Sequence, residues 1–206
     1  MKRFAALGGV VALSLSSLAG CGAADGTLDE NLGETTQAVM PDPTMPDPAA
    51  GPVKLHNLQT SRCLGVAAGT PTPGNFLIVW TPCDGSANQN WQYVTRPDFN
   101  HNIKNFVADD RFLSIRSIQA NHYAGNGNVA IIDVANNDDI FKEFWTMTFV
   151  GPDLMGHNCY YFSSGWGAGQ VLGVLGGNPN NGARVVTWQG FFTDFQHHQD
   201  QLWCAY

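Results

Sequence analysis

The amino-acid sequence predicts an all-β chain in which three similar repeats, each of four short strands, close on one another. Three observations carry this expectation. Charged residues make up only 13% of the 206, while 23 are Gly, 11 are Pro and 11% are aromatic. That balance disfavours helical bundles and coiled coils, which need far more Glu, Lys, Arg and Ala. No useful length shows helical periodicity, whereas short apolar runs repeatedly follow glycine turns. From Gly51 onward one pattern recurs three times in register, as a repeat architecture requires.

In chain order, the first repeat opens with a strand over residues 53–58 and continues with Cys63-Leu64-Gly65-Val66, the turn Gly74-Asn75, an apolar run over 76–80 ending in Trp80, and Gln89-Asn90-Trp91. The second opens over 103–107, then carries Phe112-Leu113-Ser114-Ile115, Gly127-Asn128, a run over 129–134 containing Asp133, and Glu143-Phe144-Trp145. The third opens over 159–163, followed by Val171-Leu172-Gly173-Val174, Gly182-Ala183, a run over 184–188 ending in Trp188, and Gln201-Leu202-Trp203. Trp80, Asp133 and Trp188 each stand six residues beyond the turn glycine, an offset that chance does not readily give. One such repeat has too little apolar surface to bury by itself, so all three must share a core.

The N-terminus is a processing segment. Lys2 and Arg3 precede an apolar run from Phe4 to about Leu18, and ~15 apolar residues behind a basic start suit a signal peptide better than a membrane span of roughly 20. The run ends in Leu18-Ala19-Gly20-Cys21, which resembles a bacterial lipobox and implies cleavage after residue 20 and lipidation of Cys21. An ordinary secretory cleavage beside a chance cysteine is the alternative. Gly22, where Asp is absent, is similar to lipoproteins sent to the outer membrane when two membranes are present. Residues 22–51 hold six acidic and no basic residues, with the tandem Met40-Pro41-Asp42-Pro43 and Met45-Pro46-Asp47-Pro48. Low hydrophobicity, like charge and fixed proline φ angles predict a disordered tether over 21–51, ahead of a folded domain over 52–206.

With Cys21 assigned to lipid, Cys63, Cys83, Cys159 and Cys204 remain, an even number in an oxidising compartment and enough for two disulfides. Three pairings are open; the internal repeat favours Cys63 with Cys83 and Cys159 with Cys204. Metal ligation is the competing use, but no Cys-x-x-Cys and no paired His spacing is present, and neither metal nor cofactor is expected.

The succession Cys-Leu-x-Val, Gly-Asn, Val-Trp and Gln-x-Trp is similar to the ricin B-type lectin family and covers roughly residues 52 to 206. The resemblance implies a β-trefoil of three pseudo-symmetric lobes, with Trp91, Trp145 and Trp203 anchoring the lobes in the core. It also implies a disulfide across the second and third strands of a lobe, matched by Cys63 and Cys83, which would close about 20 residues for ~3 kcal/mol in the chain-entropy model. Cys159 with Cys204 would then join the start and end of the third lobe.

Carbohydrate is recognised by an aromatic face against the C–H patch of a sugar, with amides and carboxylates satisfying its hydroxyls. By resemblance, Trp80 takes the stacking slot of the first lobe, Asn88 and Gln89 the polar slots, and Asp84 stands close by. In the third lobe, Trp188 stacks and Asp200 with Gln201 are the polar groups. The competing roles are half-buried strand packing for the two Trp residues and turn capping for the polar ones. The second lobe, with Asp133 in place of the aromatic and Lys142-Glu143 in place of amides, is expected not to bind in the usual way. One departure affects all three: the family's sugar-gripping Asp is replaced by Gly65, Ser114 and Gly173, so Asp84 or Asp200 would have to supply a carboxylate from the opposite wall.

Catalysis has little support. Asp109-Asp110 and Asp138-Asp139 are adjacent carboxylates that point apart. His197-His198 with Asp200 is the one cluster suggesting metal or base chemistry, although neighbouring histidines usually belong to a solvated loop. A net charge of −7 with ten unclustered Lys and Arg residues argues against nucleic acid as a partner. The expectation is a non-enzymatic, membrane-anchored carbohydrate-binding chain with glycans as partners. The alternative is a receptor-binding or assembly subunit of a toxin complex, similar to the lectin-like subunits of cytolethal distending toxin, which would add protein partners.

Overall fold

In the computed structural model, residues 45–95, 101–116, 125–135, 142–165, 169–191 and 197–206 are described. The expected signal peptide, Cys21 and tether residues 22–44 lie outside them, as do Asp138 and Asp139. The described residues form twelve strands: β1 (Val53–Asn57), β2 (Arg62–Val66), β3 (Leu77–Trp80), β4 (Asn90–Thr95), β5 (His101–Asn105), β6 (Arg111–Ile115), β7 (Asn128–Val134), β8 (Trp145–Pro152), β9 (Asn158–Ser164), β10 (Gln170–Val174), β11 (Ala183–Gln189) and β12 (Trp203–Ala205). That is four strands per repeat, as the sequence predicts.

The outer strands of each repeat make a barrel wall. β1 pairs with β12 and β4, β4 with β5, and β8 and β12 both with β9, all antiparallel, while β5 lies beside β8. The inner strands form three hairpins, β2–β3, β6–β7 and β10–β11. These join at one end through β3 with β11 and β11 with β7. A barrel closed by three hairpins in threefold arrangement is a β-trefoil, and closure removes the exposed edges that an open sheet would leave.

The core explains the recurrent Leu and Trp. Trp91, Trp145 and Trp203 are fully buried, and each indole Nε1–H donates to the carbonyl of the recurrent leucine: Leu64 at 2.9 Å, Leu113 at 3.1 Å and Leu172 at 2.9 Å. A buried indole N–H without a partner would carry an uncompensated desolvation cost. Each lobe therefore needs a carbonyl at one fixed place, which the strand carrying Leu supplies. Leu55, Leu77, Val79, Ile103, Ile132, Phe162 and Val185 fill the space between the three indoles.

Strand ends differ from expectation most at β5, which runs over His101–Asn105 rather than 103–107. Asn105 ends it by accepting the Val107 N–H at 2.9 Å and donating to the carbonyls of Asn88 and Asn90, both at 3.2 Å. Asn57 does the same at the end of β1, accepting from Thr60 N–H and donating to the carbonyls of Asp200 and Leu202. Both are fully buried and stand opposite a core tryptophan, Asn57 facing Trp203 and Asn105 facing Trp91. An Asx turn thus ties the start of one lobe to the end of another.

Both expected disulfides are present, Cys63–Cys83 and Cys159–Cys204. The second sits where β9 and β12 place Cys159 opposite Cys204. The packed body starts before residue 52: the Asp47 carbonyl accepts from Ala50 N–H, and the carbonyl of Pro48, itself buried, accepts from Tyr93 N–H at 2.8 Å.

Candidate functional site

The three hairpins place equivalent residues at one register. Trp80 faces Cys63 across β2–β3, Trp188 faces Val171 across β10–β11, and Asp133 faces Phe112 across β6–β7. Two positions along each pair, a small residue faces an apolar partner: Gly65 with Ile78, Gly173 with Val186 and Ser114 with Ile131. Strand alternation puts each pair's register partners on the same side of the hairpin.

In the first lobe a cavity of about 210 Å³ opens beside Trp80, with Gly65 as part of its floor and Asn88 on its rim. Trp80 is 43% exposed, unlike the fully buried Trp91 of the same lobe. Asn88 Nδ2 donates weakly to the Val66 carbonyl at 3.5 Å, and its Oδ1 accepts from Ser86 Oγ at 2.6 Å. In the third lobe a cavity of about 350 Å³ opens beside Trp188, 40% exposed, and its lining includes Gly173, Asp200 and Gln201. A Cβ on Gly173 would lie 3.3 Å from Gln201 Cγ and 3.4 Å from the Asp200 carbonyl, so a larger residue there would press on the Gln201 side chain. Burial pushes the Asp200 carboxyl above its ordinary range, partly offset by a backbone hydrogen bond and the nearby His198.

The remaining polar residues are placed differently. Gln89 is buried, accepting from Asp84 N–H and donating to the Pro82 carbonyl, both at 3.1 Å. Gln201 is its counterpart, accepting from Phe191 N–H at 3.3 Å and donating to the Gln189 carbonyl at 2.9 Å. Each glutamine therefore spends its amide clamping the loop that follows the exposed tryptophan; Gln201 still borders its cavity. Asp84 is exposed and does not line the first cavity. Its carboxylate turns back onto Ser86, whose hydroxyl and N–H hold it below the usual aspartate range.

Two further aromatic rings line the third cavity, of which Phe191 gave no sequence signal. Phe191 and His198 stack at 3.7 Å between ring centroids with 10° between planes. His198 reaches the site as a ring partner of Phe191, whereas the sequence suggested it as part of a metal or base cluster. In the second lobe Glu143 is buried beside half-exposed Lys142, and Asp133 accepts from Val134 N–H. No aromatic ring stands at that position.

A further cluster joins β1 to the turn between β8 and β9. His157 Nδ1–H donates to Asp153 Oδ2 at 2.9 Å, and His56 Nε2 lies 3.9 Å from the same oxygen. Tyr206 packs against both imidazoles. Burial lowers the His56 pKa against the pull of Asp153. Burial alone would raise Asp153, but hydrogen bonds from the His157 side chain and from the backbone of His157 and Met155 outweigh it and lower the carboxyl. His56, Asp153 and Cys204 bring potential ligand atoms within 4.8 Å of one another, with Cys204 already committed to its disulfide.

No protein-family model and no curated protein sequence matches the chain. Solved structures do. A designed threefold-symmetric protein, ThreeFoil, superposes with a TM-score of 0.58 at 19% identity over 75% of this chain and 97% of that one. The agglutinin of Rhizoctonia solani gives 0.55 at 17% identity over 75% and 93%. An exo-β-1,3-galactanase from Clostridium thermocellum gives 0.60 at 22% identity over 78% of this chain but only 30% of its own, so the likeness concerns one part of that enzyme. At these identities the shared property is the fold, and by fold this chain is a β-trefoil protein.

Proposed function

We propose that the chain binds carbohydrate without catalysis, through the first- and third-lobe cavities, as an exported protein held at a bacterial membrane by lipid on Cys21. The observation that carries this reading is the pair Trp80 and Trp188, large apolar rings left exposed at one register position, each over a cavity with a glycine in its lining. An indole in that setting offers a flat face to sugar C–H groups, and Asn88 or Asp200 stands beside it to take hydroxyls. The fold likeness to an agglutinin supports the same reading. The groups assigned to sugar contact are Trp80 and Asn88 in one lobe and Trp188 and Asp200 in the other. Gln89 and Gln201 shape the loops, and Asp84 stands outside.

Shallow sites of this kind bind at ~0.1–1 mM, roughly −4 to −5.5 kcal/mol. Two per chain, with many chains on one membrane, raise effective affinity by avidity. The test is a glycan array with the intact protein and with Trp80→Ala, Trp188→Ala and the double variant. Each single variant is expected to weaken binding and the double variant to abolish it; binding that survives the double substitution refutes the assignment. Mass spectrometry of the mature protein tests the anchor, with a diacylated Cys21 expected at the N-terminus and an unmodified one counting against it.

A further inference from the structure

We infer that the third-lobe cavity selects a sugar carrying a methyl group, as an acetamido or 6-deoxy substituent, and that Phe191 is the wall that selects it. The inference rests on the carbohydrate reading above and deepens it for one lobe. The two cavities are not copies. The first, about 210 Å³, has one aromatic ring, Trp80. The third, about 350 Å³, has Trp188 and also Phe191, 38% exposed, together with the carboxylate of Asp200.

Phe191 is held from several sides. Its N–H donates to Gln201 Oε1 at 3.3 Å and its carbonyl accepts from Tyr161 Oη at 3.2 Å, and both of those side chains belong to nearly fully buried residues. His198 stacks against its ring at 3.7 Å. An apolar ring that is left partly in water, yet fixed through its own backbone by two buried side chains, is preorganised, so a ligand meeting it loses little further entropy. In the first lobe Gln89 makes the equivalent pair of bonds, to Asp84 N–H and the Pro82 carbonyl, but the residue whose N–H it holds is an aspartate rather than a phenylalanine.

An unsubstituted hexose has one strongly apolar face. If Trp188 takes that face, hydroxyl groups brought against Phe191 lose water without gaining a partner, which is unfavourable. A methyl group brought against Phe191 removes apolar surface from water on both sides. One buried methyl corresponds to about a fourfold gain in affinity, from ~0.8 kcal/mol per carbon. Asp200 accepts either a ring hydroxyl or the N–H of an acetamido group, so the two methyl sources share one chemistry and are separated by experiment.

The experiment is an NMR titration of the intact protein with galactose, glucose, their N-acetylamino derivatives and the 6-deoxy sugar fucose, using saturation transfer to locate the contacted protons. The first expected result is an affinity about fourfold or more higher for at least one methyl-bearing class than for its parent hexose, with strong saturation of the methyl protons. Phe191→Ala should remove that preference and Phe191→Leu should keep part of it. Circular dichroism melts confirm that the variants fold. Equal affinity for parent and methyl-bearing sugars, or a preference unchanged in Phe191→Ala, overturns the inference while leaving the carbohydrate reading in place. Absence of binding to any of the sugars through Trp188 overturns the inference together with the third-lobe part of the carbohydrate reading.

Discussion

Replacing Trp145 with Phe removes the indole N–H that reaches the Leu113 carbonyl at 3.1 Å in the fully buried core. Two costs add. The carbonyl loses a partner that water cannot replace, about 1–3 kcal/mol, and the smaller ring leaves a void lined by neighbours that relax only in part, about 1 kcal/mol more. The expected loss is therefore ~2–4 kcal/mol, a large share of the 5–15 kcal/mol typical of a folded domain, and it lowers Tm by roughly 5–15 °C for a domain of this size. Trp145 lies in the lobe assigned no sugar site, so carbohydrate binding by the folded variant should be unchanged. Urea unfolding followed by circular dichroism, with Trp91→Phe and Trp203→Phe beside it, makes the measurement. All three variants should lose similar amounts, because Trp91 and Trp203 make the same bond to Leu64 and Leu172. A loss under about 1 kcal/mol, or one large loss beside two negligible ones, would show that the three indoles do not support the fold in equivalent ways.

Removing Cys63–Cys83 with paired serines should cost about 3 kcal/mol and removing Cys159–Cys204 about 4 kcal/mol in the chain-entropy model, from loop lengths of 20 and 45 residues; denaturant midpoints check the order. Acid should destabilise the protein in two steps. The depressed His56 pKa gives stability that is complete above the unfolded value near 6.5 and declines as pH falls below it. The depressed Asp153 pKa gives a second decline below about 4. His56→Asn should flatten the upper step in a pH series of urea midpoints, and an unchanged upper step counts against burial of a neutral imidazole. Sugar affinity at the third lobe should fall on acidification before an ordinary aspartate would titrate, because burial raises the Asp200 pKa and the ionised carboxylate is the stronger acceptor for a hydroxyl. Asp200→Asn should remove that pH dependence, measured by titration with a sugar that Trp188→Ala no longer binds.

The recurrence of Leu and Trp at matched spacing made the three lobes readable, since each lobe needs the same carbonyl under the same indole. The disulfides were readable for a related reason: Cys63 and Cys83 flank one hairpin, and Cys159 and Cys204 mark the two ends of the third lobe. Strand limits were less readable at β5, where Asn105 accepts from Val107 N–H and stops the strand two residues early. An asparagine inside an apolar stretch gives no sign of whether its amide will cap a turn or face water.

The chain alone determined the architecture, because a repeat whose apolar residues recur at one spacing can bury them only by closing with its copies. It also placed Trp80 and Trp188 at equivalent positions. Tertiary structure decided which polar groups stand beside them. Gln89 and Gln201 look identical in role to Asn88 and Asp200 along the sequence, yet they are drawn inside to satisfy backbone groups of the loops after each tryptophan. Phe191 lines the third cavity because Tyr161 and Gln201 pin its backbone there, and His198 stacks on its ring. Side-chain amides go where unpaired backbone groups are buried, and those groups exist only once the lobes have closed.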